Sequence, residues 1–456
     1  MSIFLSHNWQ ILNILVPIIA SIVIILVRNI IIARHIFRAA AGILLLLVLF
    51  VPNADNSYFL GGHEAPIGIE FRIDILTRHV IIYLNLILML FCINLSLFAR
   101  GLEEGISDKL KHMLYSIILL AHAGLVGIAS TADIFNLYVF IEISSLAIYT
   151  LISLGKSRHA VVAALDYLIV GTISATFILV AIGMLYAITG TLNMEDMRDL
   201  IRENRDSRLF AAGSFIFIIG VITKLAVFPL HSWLIKSYRH TAPHILTYIS
   251  ATSVVIGFYA ILKFIYSVSG PELFSAIGMY DILSLLAIVG MISGAYIGQK
   301  TLHFKDIILY SSIVQMGYIL LMLSSSQNIS AILQYIFADG IMKFIFFTYL
   351  SLEEKHRQNY IDSYMMIYGI ISNIGLPISI GFFNKINLFV TLIEKDYHIS
   401  FIATIIASTI AISYNFRLIG SVTSDMQESK FDIKQNYALI LPTILGFSLI
   451  FYGKLW

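Results

Sequence analysis

One cysteine, Cys92, is all that the 456 residues contain, which excludes a disulfide within the chain and any four-cysteine cluster. Other signatures are missing as well: there is no phosphate-cradling glycine-rich loop, no CxxC pair and no HExxH. His79 and His122 stand in apolar segments with no carboxylate or cysteine at metal-ligand spacing, so they read as packed, hydrogen-bonded side chains. Charge is scarce. Only 12% of residues are charged, the net charge is +2, and no basic run is interleaved with aromatics, so nucleic acid is not an expected partner. No cofactor and no metal are expected on this chain, and any redox group working with it would sit on another subunit. The first apolar run lacks a basic n-region and a clear cleavage site, and reads as a retained helix.

Apolar sequence is what the chain has in abundance. Hydrophobic residues make up 59% and the mean hydropathy is +0.88, a balance that implies an all-α polytopic membrane protein surrounded by lipid. Runs long enough to span lie at 11–27, 38–52, 77–98, 113–131, 133–154, 161–189, 209–230, 243–268, 278–298, 306–324, 329–350, 364–393, 398–416 and 436–452. That predicts fourteen transmembrane helices, with a weak boundary at Thr131 to Asp133 and a twelfth run long enough to be broken or strongly tilted. Odd-numbered loops carry 17 lysines and arginines, against 8 in the even-numbered loops and tails, which predicts both termini outside. One even loop objects, holding Arg198, Arg202, Arg205 and Arg208; Glu195, Asp196, Asp199, Glu203 and Asp206 lie among them, as in an amphipathic surface helix. Any energised membrane would serve such a chain, and the cell inner (plasma) membrane is the expected location.

Of the 29 basic residues, four remain inside the predicted spans: Lys224, Lys263, Lys343 and Lys385. Glu142, Asp166 and Asp339 join them, with Asp133 and Asp281 nearer the interfaces. Lys224 lies in the apolar run LFAAGSFIFIIGVITKLAVFPL (209–230). A lysine at the bilayer centre costs at least about 2.5 kcal/mol, so such a charge by default marks an ion or proton path. Lys263, near the end of the eighth span, reads as a side chain that snorkels to the interface.

Two spans are interrupted by proline beside such a lysine. Pro229 follows Lys224 by five residues in the seventh, and Pro377 precedes Lys385 by eight in the twelfth. Proline removes a backbone donor and frees carbonyls, which a membrane tolerates only where protein or water satisfies them. Broken helices in each half are the pattern of inverted-repeat transporters. The expected organisation is three N-terminal helices in 1–112, a repeat of helices 4 to 8 in 113–268, a second repeat of helices 9 to 13 in 278–420, and a last helix in 421–456.

The segments DIFNLYVFIEISSLAIY (133–149), KLAVFPLHSWLIKSY (224–238), ILYSSIVQMGYILL (308–321) and SNIGLPISIGFFNKINLF (372–389) carry a family likeness. The chain resembles the large antiporter-type subunits shared by Mrp cation/proton antiporters and respiratory complex I, over most of helices 4 to 13. FNLYVFIE is most similar to the D-type member of the Mrp group, and the chain stops after helix 14 without the long lateral helix of the largest complex I member. The resemblance implies that Glu142, Lys224, Lys343 and Lys385 form a polar, proton-translocating axis along the membrane midplane. Three positions depart from the pattern. The family's helix-eight lysine aligns with Val255 in VVIGFY, and Lys263 lies two helical turns away, about 12 Å along the axis. A family histidine aligns with Asp339, and a basic residue early in helix six aligns with Asp166.

The residues also suggest a mechanism. Burial disfavours an ammonium and a nearby carboxylate favours it, so moving Glu142 toward or away from Lys224 would switch the lysine between holding and releasing a proton. A fixed salt bridge joining two helices is the competing reading of that pair. Asp339 and Lys343, four apart with the acid first, read either as a coupling pair or as a neutralised pair that lets the helix insert. Lys385 reads as a carrier or as a snorkelling side chain freed by the break. His231, just after the seventh-helix break, either relays protons from a vestibule or satisfies freed carbonyls. Three functions follow: an ion-translocating component of a multisubunit Na+/H+ antiporter, an antiporter-type proton-pumping component of a complex I-like NADH-quinone oxidoreductase, or a non-conducting scaffold. All three place the chain among other membrane subunits, with protons and sodium as the ions concerned and no catalytic activity of its own.

Overall fold

A computed structural model describes residues 8–50, 56–104, 106–155, 158–204, 207–352, 360–424 and 433–449. Among them are nineteen α-helices: α1 (Trp9–Val27), α2 (Ile30–Leu47), α3 (Ile75–Ile93), α4 (Leu95–Glu103), α5 (Lys111–Ser130), α6 (Ile134–Ser153), α7 (Arg158–Thr189), α8 (Met194–Glu203), α9 (Arg208–Leu225) and α10 (Ser232–His240), then α11 (Pro243–Phe264), α12 (Pro271–Ala276), α13 (Met279–Lys300), α14 (Phe304–Ser325), α15 (Ile329–Ser351), α16 (Tyr360–Ile374), α17 (Ile380–Glu394), α18 (His398–Ser424) and α19 (Ile433–Ser448). The protein is a polytopic membrane protein in which 12 described helices are long and apolar enough to cross the bilayer. Beyond the seventh run, which α9 fills only as far as Leu225 before the chain leaves helical geometry at Ala226, two of the fourteen expected spans are not continuous long helices. The run 364–393 divides into α16 and α17, 15 residues each, because Gly375 and Ile378 take positive φ angles of 84° and 77° around Pro377. The last run is α19, only 16 residues, and its end lies outside the described residues. So do the basic loop residues Lys156, Arg205, Lys355, Arg357, Lys430 and Lys454.

Helix starts are set by short polar side chains. Asp133 Oδ1 accepts the Asn136 N–H at 2.6 Å to open α6, and Asn328 Oδ1 accepts the Ala331 N–H at 3.2 Å to open α15; each fills a donor that the first turn leaves unpaired. The arginine-rich loop after α7 is indeed a surface helix: α8 buries Met194, Met197 and Ile201 and turns its charges outward, with Glu195 and Asp196 in the first turn and Arg202 in the last. Unexpected from the sequence is a two-stranded antiparallel sheet, β1 (Asn56–Phe59) and β2 (Glu70–Ile73), paired Asn56 to Ile73. Glu70 on β2 accepts from Ser57 Oγ at 2.5 Å and from Asn193 Nδ2 at 2.8 Å, which ties the hairpin to the start of α8.

The chain divides into two compact units. The first comprises residues 1–92, 103–225 and 256–277, the second 93–102, 226–255 and 278–456. In the first, α7 packs along α9, and α5 packs against α6 and α1. Small residues allow the approach of α7 and α9: a Cβ on Gly220 would lie 2.9 Å from the Ser174 carbonyl oxygen, and Ser174 Oγ donates to the Gly220 carbonyl at 2.7 Å. In the second unit α13 packs along α14 and α18, and α16 packs against α15 and α18.

Candidate functional site

Glu142 stands near the middle of α6 and Lys224 in the last turn of α9, just before the chain leaves helical geometry at Ala226. Lys224 Nζ is 3.7 Å from Glu142 Oε1. That is near enough for strong attraction and too far for a hydrogen bond, so Nζ and Oε1 are each buried without a hydrogen-bond partner. The two side chains are 18% and 26% exposed. The contact joins two different helices, and small shifts between them would make or break a direct bond.

Lys263, expected to snorkel, does not. It is buried, and its Nζ donates to the Ala129 carbonyl at 2.6 Å and approaches the Ile128 carbonyl at 3.5 Å. These carbonyls end α5, where the last turn has no intrahelical donors and carries partial negative charge. The physical reason for the correction is that partner: carbonyl acceptors at the C-terminus of α5 hold the ammonium inside the protein. Tyr259, one turn earlier, donates to the same Ala129 carbonyl at 3.1 Å and shares a 2.8 Å hydrogen bond with Thr77. Lys263 and Thr77 line a polar cavity of about 210 Å³ with Arg72, Asp74, Glu195 and Arg198 among its other walls. Arg72 and Arg198 both pair with Glu195 there. Beside it on α8, Asp196 titrates above the usual carboxylate range, through partial burial first and the neighbouring Glu70, Asp199 and Glu195 charges second.

In the second unit, Lys343 donates to Asp339 Oδ2 at 2.5 Å within α15. Lys385, in the second turn of α17, reaches back across the break to the Ile374 carbonyl at 2.7 Å and lies over the Tyr318 ring, 4.8 Å from its centroid. It is buried, so the break does not let it snorkel to an interface. A neighbouring freed carbonyl, that of Asn373, is filled by Gln315 Nε2 at 2.9 Å, and the same amide reaches Asn373 Oδ1 at 2.6 Å. Asn373 donates in turn to Asn415 at 3.2 Å, and Tyr335 donates to Gln315 at 3.3 Å. The break is thus held by side chains, as hydrocarbon requires.

Gln315, Asn373, Tyr259 and Thr77 escape a reading of the sequence because neutral polar side chains in an apolar helix carry no charge signal. A usable signal is present for one: Gln315 sits in the apolar segment ILYSSIVQMGYILL, where an amide in hydrocarbon must find a partner. His231 stacks on Phe228 and donates Nδ1–H to the Pro229 carbonyl at 3.3 Å, within the seventh-helix break. His122 is buried against Asn85 at 3.1 Å, and His79 bonds the Ile75 carbonyl at 2.6 Å. Asp166 is half-buried on α7 beside the outward-facing Val162, Leu165 and Ile169, and forms no ion pair among the described residues. Val255 is buried. Among the described residues, no three His, Cys, Asp or Glu side chains converge as a metal site.

Comparison with known proteins gives a consistent likeness. The family described as NADH:quinone oxidoreductase/Mrp antiporter, transmembrane, matches residues 130–412. The NADH-quinone oxidoreductase subunit N of Desulforudis audaxviator is 30% identical over 411 residues, covering 86% of this chain and 80% of that one. The putative antiporter subunit mnhD2 of Staphylococcus saprophyticus is 26% identical over 435 residues, covering 91% and 85%. Among solved structures, a chain of the Mrp complex from Dietzia superposes with a TM-score of 0.85 at 16% identity, covering 99% of this chain and 95% of that one.

Proposed function

We propose, from the premise that this chain belongs to the NADH:quinone oxidoreductase/Mrp antiporter transmembrane family, that it is the proton-translocating, D-type component of a multisubunit Na+/H+ antiporter. The observation that carries this reading is the Glu142–Lys224 pair, held 3.7 Å apart between α6 and α9 and placed one residue before the end of a broken helix. Protons would be held when the two approach and released when they part. Lys385, on the far side of the second break from the carbonyl it bonds, is read as the corresponding carrier of the second unit. Glu142, Lys224 and Lys385 make up the proton-carrying axis, with His231 and Asp166 as relay or coupling groups; the Asp339–Lys343 pair, neutral as a unit, is given no carrying role in this reading. In this reading α16 and α17 are the two halves of a twelfth span and α19 is the fourteenth. Helices 4 to 8 and 9 to 13 are inverted repeats, and the chain lies in the inner (plasma) membrane among other membrane proteins of the same complex.

The 30% identity to the Desulforudis oxidoreductase chain favours a second reading, a proton-pumping component of a complex I-like NADH-quinone oxidoreductase. Buried Val255, where the resemblance expects a lysine, favours a third, a scaffold that does not conduct. Purification from the native membrane in mild detergent, followed by mass spectrometry, separates the first two. Small hydrophobic antiporter subunits without redox proteins support the antiporter; flavin or iron–sulfur subunits support the redox pump; recovery of the chain alone counts against both. The scaffold predicts that Lys224→Ala alters assembly and nothing else.

A further inference from the structure

The Asp339–Lys343 pair differs from the Glu142–Lys224 pair in each respect that governs whether a proton leaves. Asp339 and Lys343 stand four residues apart on one continuous helix, α15, so no movement of one helix against another changes their separation. Their contact is 2.5 Å, a short charge-assisted hydrogen bond, and the side chains are only 4% and 3% exposed. Every residue of α15 from Ala331 to Tyr349 is buried. Tyr335, one turn before Asp339, directs its hydroxyl to Gln315 rather than to the pair. Glu142 and Lys224, by contrast, come from separate helices, are 3.7 Å apart and are several times more exposed. Lys385 has a carbonyl partner across a chain break and forms no ion pair among the described residues.

We propose that Asp339 holds Lys343 in a fixed ion pair that takes no part in proton exchange, and that of the two lysines in the second unit Lys385 is the one that exchanges protons. This deepens the proton-carrying reading above and rests on it. Releasing the Lys343 proton would leave the Asp339 carboxylate uncompensated in a dry interior, and breaking a buried pair by removing one charge is far costlier than removing both. Asp339 is in these terms a positioning residue. It keeps one lysine out of the exchange, and the net charge of α15 stays at zero whatever the state of the rest of the axis.

The test is dye-monitored proton flux in vesicles carrying the complete complex, with assembly followed on native gels. Lys343→Arg keeps the pair, but an arginine does not release its proton near neutral pH. Flux within about threefold of wild type is therefore expected, with an unchanged pH profile. The paired change Asp339→Asn with Lys343→Met removes both charges at nearly the same volume and should likewise retain flux. Lys385→Arg should lose it by about tenfold or more, because the carrier can no longer titrate. The inference is overturned if either change at Lys343 loses flux about tenfold in an assembled complex, or if Lys385→Arg retains it. Should the paired variant fail to assemble, Lys343→Arg decides alone. Wild-type flux in both Lys224→Arg and Lys385→Arg would be a different failure, that of the proton-carrying reading itself.

Discussion

Replacing Lys263 by methionine should destabilise the chain without touching the proposed proton carriers. Methionine fills nearly the same volume, so no cavity forms, and what is lost is the ammonium that caps α5. A hydrogen bond from a charged donor such as Lys263 Nζ to Ala129 O, here 2.6 Å long, contributes about 1.5–3 kcal/mol. A cation at a partly buried helix C-terminus adds up to about 2 kcal/mol. The two figures describe overlapping electrostatics, which puts the expected loss at roughly 2–4 kcal/mol, or about 30- to 1,000-fold in the folded-to-unfolded ratio. The assay is heat-induced loss of the folded complex, read by fluorescence-detected gel filtration of a tagged chain in one detergent. Lys263→Met should lower the midpoint clearly. Lys263→Arg should recover most of it, since a guanidinium keeps both the charge and the donors. Equal midpoints for wild type and Lys263→Met, or an arginine variant as unstable as the methionine one, would refute the capping argument.

Three further outcomes follow from the same geometry. Gln315→Leu leaves the Asn373 carbonyl and side-chain oxygen without their shared donor and should cost about 1–3 kcal/mol in the same heat assay, whereas an isosteric surface change at Asn204 should cost almost nothing. Gly381→Ala would drive a Cβ into the Ser372 carbonyl across the second break, so the variant should accumulate poorly or show reduced flux; a normal, fully active complex would mean that α16 and α17 are free to separate. Ser267→Cys, in the wall of the 210 Å³ cavity, should react with a membrane-impermeant maleimide from outside the cell, while the buried Cys92 gives no background. Labelling only from inside would contradict the orientation read from the loop charges.

Legibility in the sequence followed the strength of the physical signal. Hydrocarbon is an unforgiving solvent, so long apolar runs read directly as the twelve long apolar helices found among the described residues. The same intolerance exposed Glu142, Lys224, Asp339, Lys343 and Lys385, because each charge stands out against its run. The twelfth run could not be divided at the right residue: Pro377 marked a break, but the positive φ angles at Gly375 and Ile378 depend on carbonyls finding Gln315 and Lys385, which are tertiary contacts. Lys263 was misread for a related reason, since a lysine near a helix end snorkels unless a distant segment offers acceptors, and Ala129 lies 134 residues away. The hairpin at 56–73 carries little sequence signal because its strands are only four residues each. Separation within a pair was never available from sequence. The contrast between 3.7 Å at Glu142–Lys224 and 2.5 Å at Asp339–Lys343 is set by the fold, since the first pair joins two helices and the second lies within one.

Proton flux through the assembled complex in Glu142→Gln, compared with wild type in the same vesicles, tests the central claim most directly. The attraction at 3.7 Å is about 4 kcal/mol at an effective dielectric constant near 20, and partial exposure of both side chains cuts it to roughly 1–2 kcal/mol. Removing it should change the ability of Lys224 to hold a proton by roughly tenfold. The account predicts flux reduced by about that factor and a displaced pH profile, with assembly intact. An assembled Glu142→Gln complex with wild-type flux and an unchanged profile would contradict it.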